Sequence, residues 1–197
     1  MKTLVVGDVH GCSGPLQALL RRTHPERVLL LGDIFAKGPD PAGVWEVISD
    51  HDTVAVLGNH DARLLEVWGQ AGETAHHRCW RALPEQARIW TSSLPLTLTG
   101  DGWRAVHAGV HPTLGYAGTS RRQALTMRRW PDDSSPENPF WFELYVGPER
   151  IFYGHDAMRG VQIHTHSVGL DSGCVYGGLL SGMILETGEL VQVEGNV

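Results

Sequence analysis

Only three cysteines occur in 197 residues: Cys12, Cys79 and Cys174. Their odd number and wide spacing suit a reducing compartment better than a disulfide framework. No C-x-x-C pair is present, which argues against a zinc ribbon or knuckle. Basic charge is not in excess. The formal net charge is −6, so no global attraction draws the chain to nucleic acid. No apolar run approaches the roughly 20 residues that a bilayer-spanning helix needs. A charged region followed by an apolar core and a cleavage site, the mark of a signal peptide, is missing too. Repeats and linker-like stretches are also lacking. The expectation is one cytoplasmic domain over residues 1–197, with neither membrane nor nucleic acid as a partner.

What is present is a repeated grammar. Leu4-Val5-Val6-Gly7-Asp8-Val9-His10-Gly11, Val28-Leu29-Leu30-Leu31-Gly32-Asp33 and Val54-Ala55-Val56-Leu57-Gly58-Asn59-His60-Asp61 each run from apolar residues through glycine to metal-type ligands. Short continuous apolar runs read as buried strands of a parallel sheet. In open α/β sheets the site lies beyond the carboxyl ends of such strands. Asp33 therefore belongs at the rim, and we read it as a carboxylate shared between two metal ions.

Strands are expected at 3–7, 27–32 and 53–57. Between them, Ser13 is a candidate N-cap with Pro15 near the first helical position, and Asp40 caps a helix begun by Pro41. This β-α-β-α-β order predicts a parallel layer flanked by helices. Residues 61–90 read as helical, with 63–68 and 74–90 as the better segments, covering the site. From residue 94 the pattern turns to β. Strands are expected at 94–99 and 103–107 around a Gly100-Asp101-Gly102 turn. A short helix in 117–130 and a loop over 131–139 come next. Strands follow at 150–153, 161–170, 182–186 and 189–193. The fold class is an α/β sandwich, parallel-leaning in its first half and more antiparallel in its second. His76 and His77 read as exposed helix residues. His164 and His166 read as one face of a strand. Trp80, Trp90, Trp130 and Trp141 read as core or lid aromatics.

The candidate ligands are Asp8, His10, Asp33, Asn59, His107 and His155, each read as a loop residue near a strand end. Carboxylate, imidazole and amide oxygen suit first-row divalent metals. Two such ions about 3.5–4 Å apart can activate water and clamp phosphate oxygens.

Gly7-Asp8-Val9-His10-Gly11, Gly32-Asp33, Gly58-Asn59-His60-Asp61, His107-Ala108-Gly109 and Gly154-His155 together resemble the calcineurin-like metallophosphoesterases. Within them the chain is similar to the phosphoprotein-phosphatase branch, which holds bacterial serine/threonine phosphatases and symmetrical diadenosine tetraphosphatases. The stretch from Gly169 to Gly178 resembles the tetraphosphatase side. The resemblance implies a sandwich of two mixed β-sheets flanked by helices. It implies that Asp8 and His10 hold one metal ion, that Asp33 bridges, and that Asn59, His107 and His155 hold the second. Manganese is the first choice, with iron, zinc or nickel as alternatives. A metal-bridging hydroxide would attack phosphorus, and His60 would protonate the leaving group. Two positions depart from the family pattern Gly-Asp-x-x-Asp-Arg-Gly. Ala36 stands where the Asp that pairs with the catalytic His belongs, and Asp61 is one candidate substitute. Lys37 stands where a phosphate-binding Arg belongs, keeping the charge but not the planar fork. Arg128, ahead of Arg129, is the second candidate for binding phosphate. The expected activity is hydrolysis of phosphate monoesters or phosphoproteins. Symmetrical cleavage of a dinucleoside tetraphosphate ranks second. A metal-dependent binding scaffold without turnover is the alternative of another class.

Overall fold

The structure is a computed structural model that describes residues 1–195. It contains two five-stranded sheets laid face to face. The first sheet takes β1 (Thr3–Val6), β2 (Arg27–Leu30), β3 (Thr53–Ala55), β9 (Leu179–Ile184) and β10 (Leu190–Glu194) in the order β10-β9-β1-β2-β3. The second takes β4 (Thr97–Gly100), β5 (Trp103–Val106), β6 (Arg150–Tyr153), β7 (Gln162–Ile163) and β8 (Ser167–Gly169) in the order β4-β5-β6-β8-β7. β1, β2 and β3 pair in parallel, as the three apolar runs predict.

Alternation along β1 explains the layering. Leu4 and Val6 face one way and join Leu16, Leu19 and Leu20 of α1 (Ser13–Thr23) in a helix-covered core. Val5 faces the other way and packs with Leu29, Leu31, Phe152, Val168 and Leu170 between the sheets. Both faces are buried, so the strand is apolar throughout rather than alternating with polar residues. Each such side chain contributes roughly 1.5–3 kcal/mol on burial. The outer face of the second sheet is closed by the short helix Trp141–Leu144. Phe142 stacks there on Tyr153, and Trp141 meets the same ring edge-on.

Several expectations change in detail. The second sheet is parallel at its centre, since β5, β6 and β8 run together and only β4 and β7 are antiparallel. Residues 161–170 form a hairpin rather than one strand. His164 and His166 lie in its turn and share no strand face. Ser13 is the first helical residue and not the cap; its hydroxyl bonds Asp40 Oδ2 at 2.6 Å. Asp40 does cap α2 (Pro41–Ser49), accepting from Gly43 N at 2.9 Å. The helical stretch after β3 divides into α3 (Asn59–Glu66), α4 (Ala75–Ala82) and α5 (Glu85–Ser92). Pro84 lacks an N–H and disfavours a helical Leu83, which separates the last two. Trp80, Leu83 and Ala87 from this region complete the first core, so it packs more than it covers.

Candidate active site

The carboxyl ends of β1, β2 and β3 converge with those of β5 and β6. The loops leaving them line a cavity of about 620 Å³. Asp8, His10, Asp33, Asn59, His60 and His155 all reach it, as do Lys37, Arg128 and Arg129. His107 is fully buried behind Asp33. Ten residues scattered over nearly 150 positions thus come together around one cavity. Asn59 and His60 are the exception to the loop expectation, because they form the first turn of α3.

Backbone strain concentrates here. His10 (φ 48°), Asp33 (φ 51°), Lys37 (φ 78°) and His155 (φ 69°) occupy the left-handed region without being glycine. Each such residue costs of the order of 1–3 kcal/mol, and such strain clusters at functional sites. Glycine removes obstruction beside them. A Cβ on Gly58 would meet Asp33 N and Oδ1 at 2.2 Å, and one on Gly154 would meet Asp8 Oδ1 at 2.0 Å.

Asp61 holds the frame. Its Oδ1 accepts from Ile34 N at 3.0 Å and its Oδ2 from Gly58 N at 3.1 Å, joining the loop after β2 to the start of α3. With both oxygens engaged, Asp61 does not stand in for the missing partner of His60. The His60 backbone N–H donates to Asp33 Oδ1 at 2.8 Å and leaves Oδ2 facing the site.

The donor set fits divalent cations. Burial lowers the His10 pKa to about 2 and holds that of His107 below its ordinary value, so both rings are neutral. Each neutral ring has one proton. His10 Nδ1 donates it to the Ala36 carbonyl at 3.0 Å, and His107 Nδ1 to the Leu31 carbonyl at 2.8 Å. Both Nε2 atoms are therefore bare lone pairs. They face Asp33 Oδ2 at 3.5 and 3.6 Å. Asn59 Oδ1 adds another acceptor, 2.9 Å from His107 Nε2 and 3.0 Å from His155 Nδ1. Acceptors crowded together without protons call for a cation. Asp8, Asp33 and His107 offer ligand atoms within 4.8 Å of one another. Asp33 Oδ2 lies between the two imidazoles.

Charge points the same way. Burial, followed by the charges of Asp171 and Asp33, pushes Asp8 well above the usual carboxylate range. Burial pushes Asp33 up to about 7 and Asp61 up to about 6. A cation binding at Asp33 must displace its proton below pH 7. Affinity for manganese should thus fall about tenfold per pH unit as pH drops below 7. Calorimetry near pH 6.5 in two buffers of different ionisation enthalpy should record proton release. Equal apparent enthalpies in the two buffers would refute a protonated Asp33.

Three neighbours escaped the sequence reading. Asp171, 5% exposed, lies beside Asp8 and accepts from Gly173 N at 3.1 Å. Tyr176 O–H accepts from Lys37 Nζ at 2.8 Å and holds that ammonium at the cavity. The Gly169–Gly178 motif was the available signal for both. His76 reaches His60 from α4, with its Nε2 3.0 Å from His60 Nδ1. It is half-buried, not simply exposed. Arg128 lies against the His155 carbonyl (Nη2 to O 3.1 Å), whereas Arg129 is held by the Asn138 carbonyl and the Phe140 ring. The aromatics lining the cavity are Phe140 and Tyr176; Trp80 and Trp141 are buried in the cores.

No helix among the described residues is long and apolar enough to cross a membrane. A model of the calcineurin-like phosphoesterases matches residues 1–179. The asymmetrical bis(5'-nucleosyl)-tetraphosphatase PrpE of Bacillus cereus strain Q1 is 27% identical, covering 100% of this chain and 96% of its own. A symmetrical bis(5'-nucleosyl)-tetraphosphatase of Chromobacterium violaceum is 27% identical over 96% of this chain and 94% of its own. A crystal structure provisionally assigned as a diadenosine tetraphosphatase aligns with a TM-score of 0.90 at 30% identity, over 99% of this chain and 94% of that one. The metallophosphoesterase of Sphaerobacter thermophilus shares the fold, with a TM-score of 0.62 at 18% identity. Sandwich, strained strand ends and family match agree: this chain is a metal-dependent hydrolase of phosphoric ester or anhydride bonds and belongs to the calcineurin-like phosphoesterase family.

Proposed function

We propose that residues 1–197 form one cytoplasmic catalytic unit that hydrolyses a phosphoanhydride bond of a dinucleoside tetraphosphate. The relatives support this substrate over the phosphoprotein that the motifs alone ranked first, because tetraphosphatases of both kinds align along nearly their whole length. The observation that carries the chemistry is Asp33 Oδ2 between two unprotonated Nε2 atoms. Asp8, His10 and Asp33 would hold one divalent ion, and Asp33, Asn59, His107 and His155 the other, with manganese as the first candidate. When bound there, such ions would supply a nucleophile from water at neutral pH and would neutralise phosphate oxygens.

This chain's own residues do the rest. Lys37 and Arg128 bring positive charge to the cavity and orient the phosphates; Arg128 can do so with a planar fork. His60 gives a proton from Nε2 to the departing oxygen, because Nδ1 is engaged with His76.

The test is manganese-loaded protein with diadenosine tetraphosphate, its products resolved by chromatography. ADP alone would assign symmetrical cleavage, and ATP with AMP asymmetrical cleavage. An intact dinucleotide beside a dephosphorylated phosphoserine peptide would overturn this substrate in favour of the protein-phosphatase reading.

A further inference from the structure

The ring of His60 has a partner that the motifs do not contain. Position 36 is a buried alanine, and Asp61 spends both oxygens on backbone N–H groups. The ring nitrogen Nδ1 of His60 instead meets His76 Nε2 at 3.0 Å. The two rings are within 7° of parallel, with centroids 5.3 Å apart. His76 stands in the first turn of α4, which Thr74 caps through His77 N. α4 in turn packs on the first core through Trp80, so the imidazole is delivered from a rigid element.

Two ring nitrogens at this distance share one proton. If His76 donated it, neutral His60 would carry its single proton on Nε2 and could give it up only by becoming an imidazolate. If His60 donates Nδ1–H to His76 Nε2, then His60 Nε2 is free to load a proton and to release it. We propose that His76 is the positioning residue of His60: its Nε2 accepts the Nδ1 proton, fixes the ring, and turns Nε2 to the departing oxygen. The inference rests on His60 as the proton donor of the proposed hydrolysis. In that step water oxygen bonds phosphorus and the bond to the leaving oxygen breaks. The leaving oxygen takes a proton at His60 Nε2, loaded there from the attacking water, so His60 ends the step neutral as it began, with its Nδ1–H still hydrogen-bonded to His76 Nε2.

An imidazole partner orients without adding negative charge. That matters according to the leaving group. A phosphate leaving from an anhydride ionises near pH 6, whereas an alkoxide has a basicity near that of hydroxide, from water at about 15.7. Only the alkoxide depends heavily on the proton from His60.

The test uses full-length protein loaded with diamagnetic zinc and labelled with nitrogen-15 in its imidazoles. In wild type His60 should carry its proton on Nδ1. His76→Ala should move it toward Nε2, and His76→Gln, whose amide oxygen accepts at similar reach, should keep it on Nδ1. In manganese-loaded protein, His76→Ala should lower kcat on an alkyl phosphomonoester about 10- to 100-fold. On nitrophenyl phosphate, with its good leaving group, it should cost less than about threefold. KM should stay put, and His76→Gln should recover most of the loss. An unprotonated Nδ1 in wild type would overturn the proposal. So would an equal loss on both esters, or glutamine behaving as alanine does. A wild-type protein that shows the Nδ1 tautomer but turns over none of these substrates or the dinucleotide would refute the hydrolytic reading and leave the His76–His60 pairing standing.

Discussion

Asp33→Asn is expected to lose at least one of two bound ions and about 1000-fold or more in turnover. The substitution keeps shape and volume. Its side-chain oxygen can still accept from His60 N, as Asp33 Oδ1 does at 2.8 Å. What disappears is the negative charge at Oδ2, between His10 Nε2 and His107 Nε2. One lost electrostatic stabiliser typically costs 10²–10³ in rate, and a bridging ligand acts on both ions. Stability should move the other way. The Asp33 pKa is raised to about 7 in the fold by burial, from an ordinary 3.8. A raised carboxyl favours the folded state fully below its unfolded value and loses that advantage as pH rises through about 7. At pH 8 with chelator, the wild type carries a buried charge that the asparagine variant lacks. The variant should therefore melt higher than wild type at pH 8 without metal. Elemental analysis, turnover and melting in chelator check the three parts. Full metal content with wild-type turnover would remove Asp33 from the bridging role.

His60→Asn should separate chemistry from metal binding. Only the backbone N–H of His60 supports Asp33, and any residue supplies that. The ring touches His10 edge-on at 5.3 Å between centroids and pairs with His76, but no carboxylate depends on it. Metal content should stay at the wild-type level. Turnover of an alkyl phosphate should fall about 10²–10⁴-fold, the usual range for a general acid, and that of the dinucleotide less. Unchanged turnover on the alkyl ester would refute the acid assignment. A metal-dependent scaffold predicts a different pattern: wild type inert toward every phosphate, with bound metal intact.

The legible part of this protein was local. β1, β2 and β3 announce themselves because strands buried on both faces must be apolar along their whole length. Asp8, His10 and Asp33 follow because polar groups can leave such a strand only at its end. His107 and His155 were readable for the same reason, at the ends of β5 and β6. The hairpin in 161–170 was less so, because β7 is two residues long and its turn carries His164 and His166 in place of glycine or proline. Likewise the antiparallel pairing of β9 onto β1 joins residues nearly 180 positions apart, and β10 follows only as the partner of β9. Periodicity reports which face is buried and says nothing of the neighbour.

By itself the sequence determined the α/β order, the apolar strands and which residue types stand at their ends, because each depends on neighbours within one element. Tertiary structure decided what those side chains meet. It placed Asp33 Oδ2 between two bare nitrogens, tied Asp61 to the backbone, brought Asp171 beside Asp8, and closed His76 on His60 across sixteen residues. Hydrogen bonds, burial and carboxylate repulsion act through space over a few ångströms, and only the folded chain sets those distances.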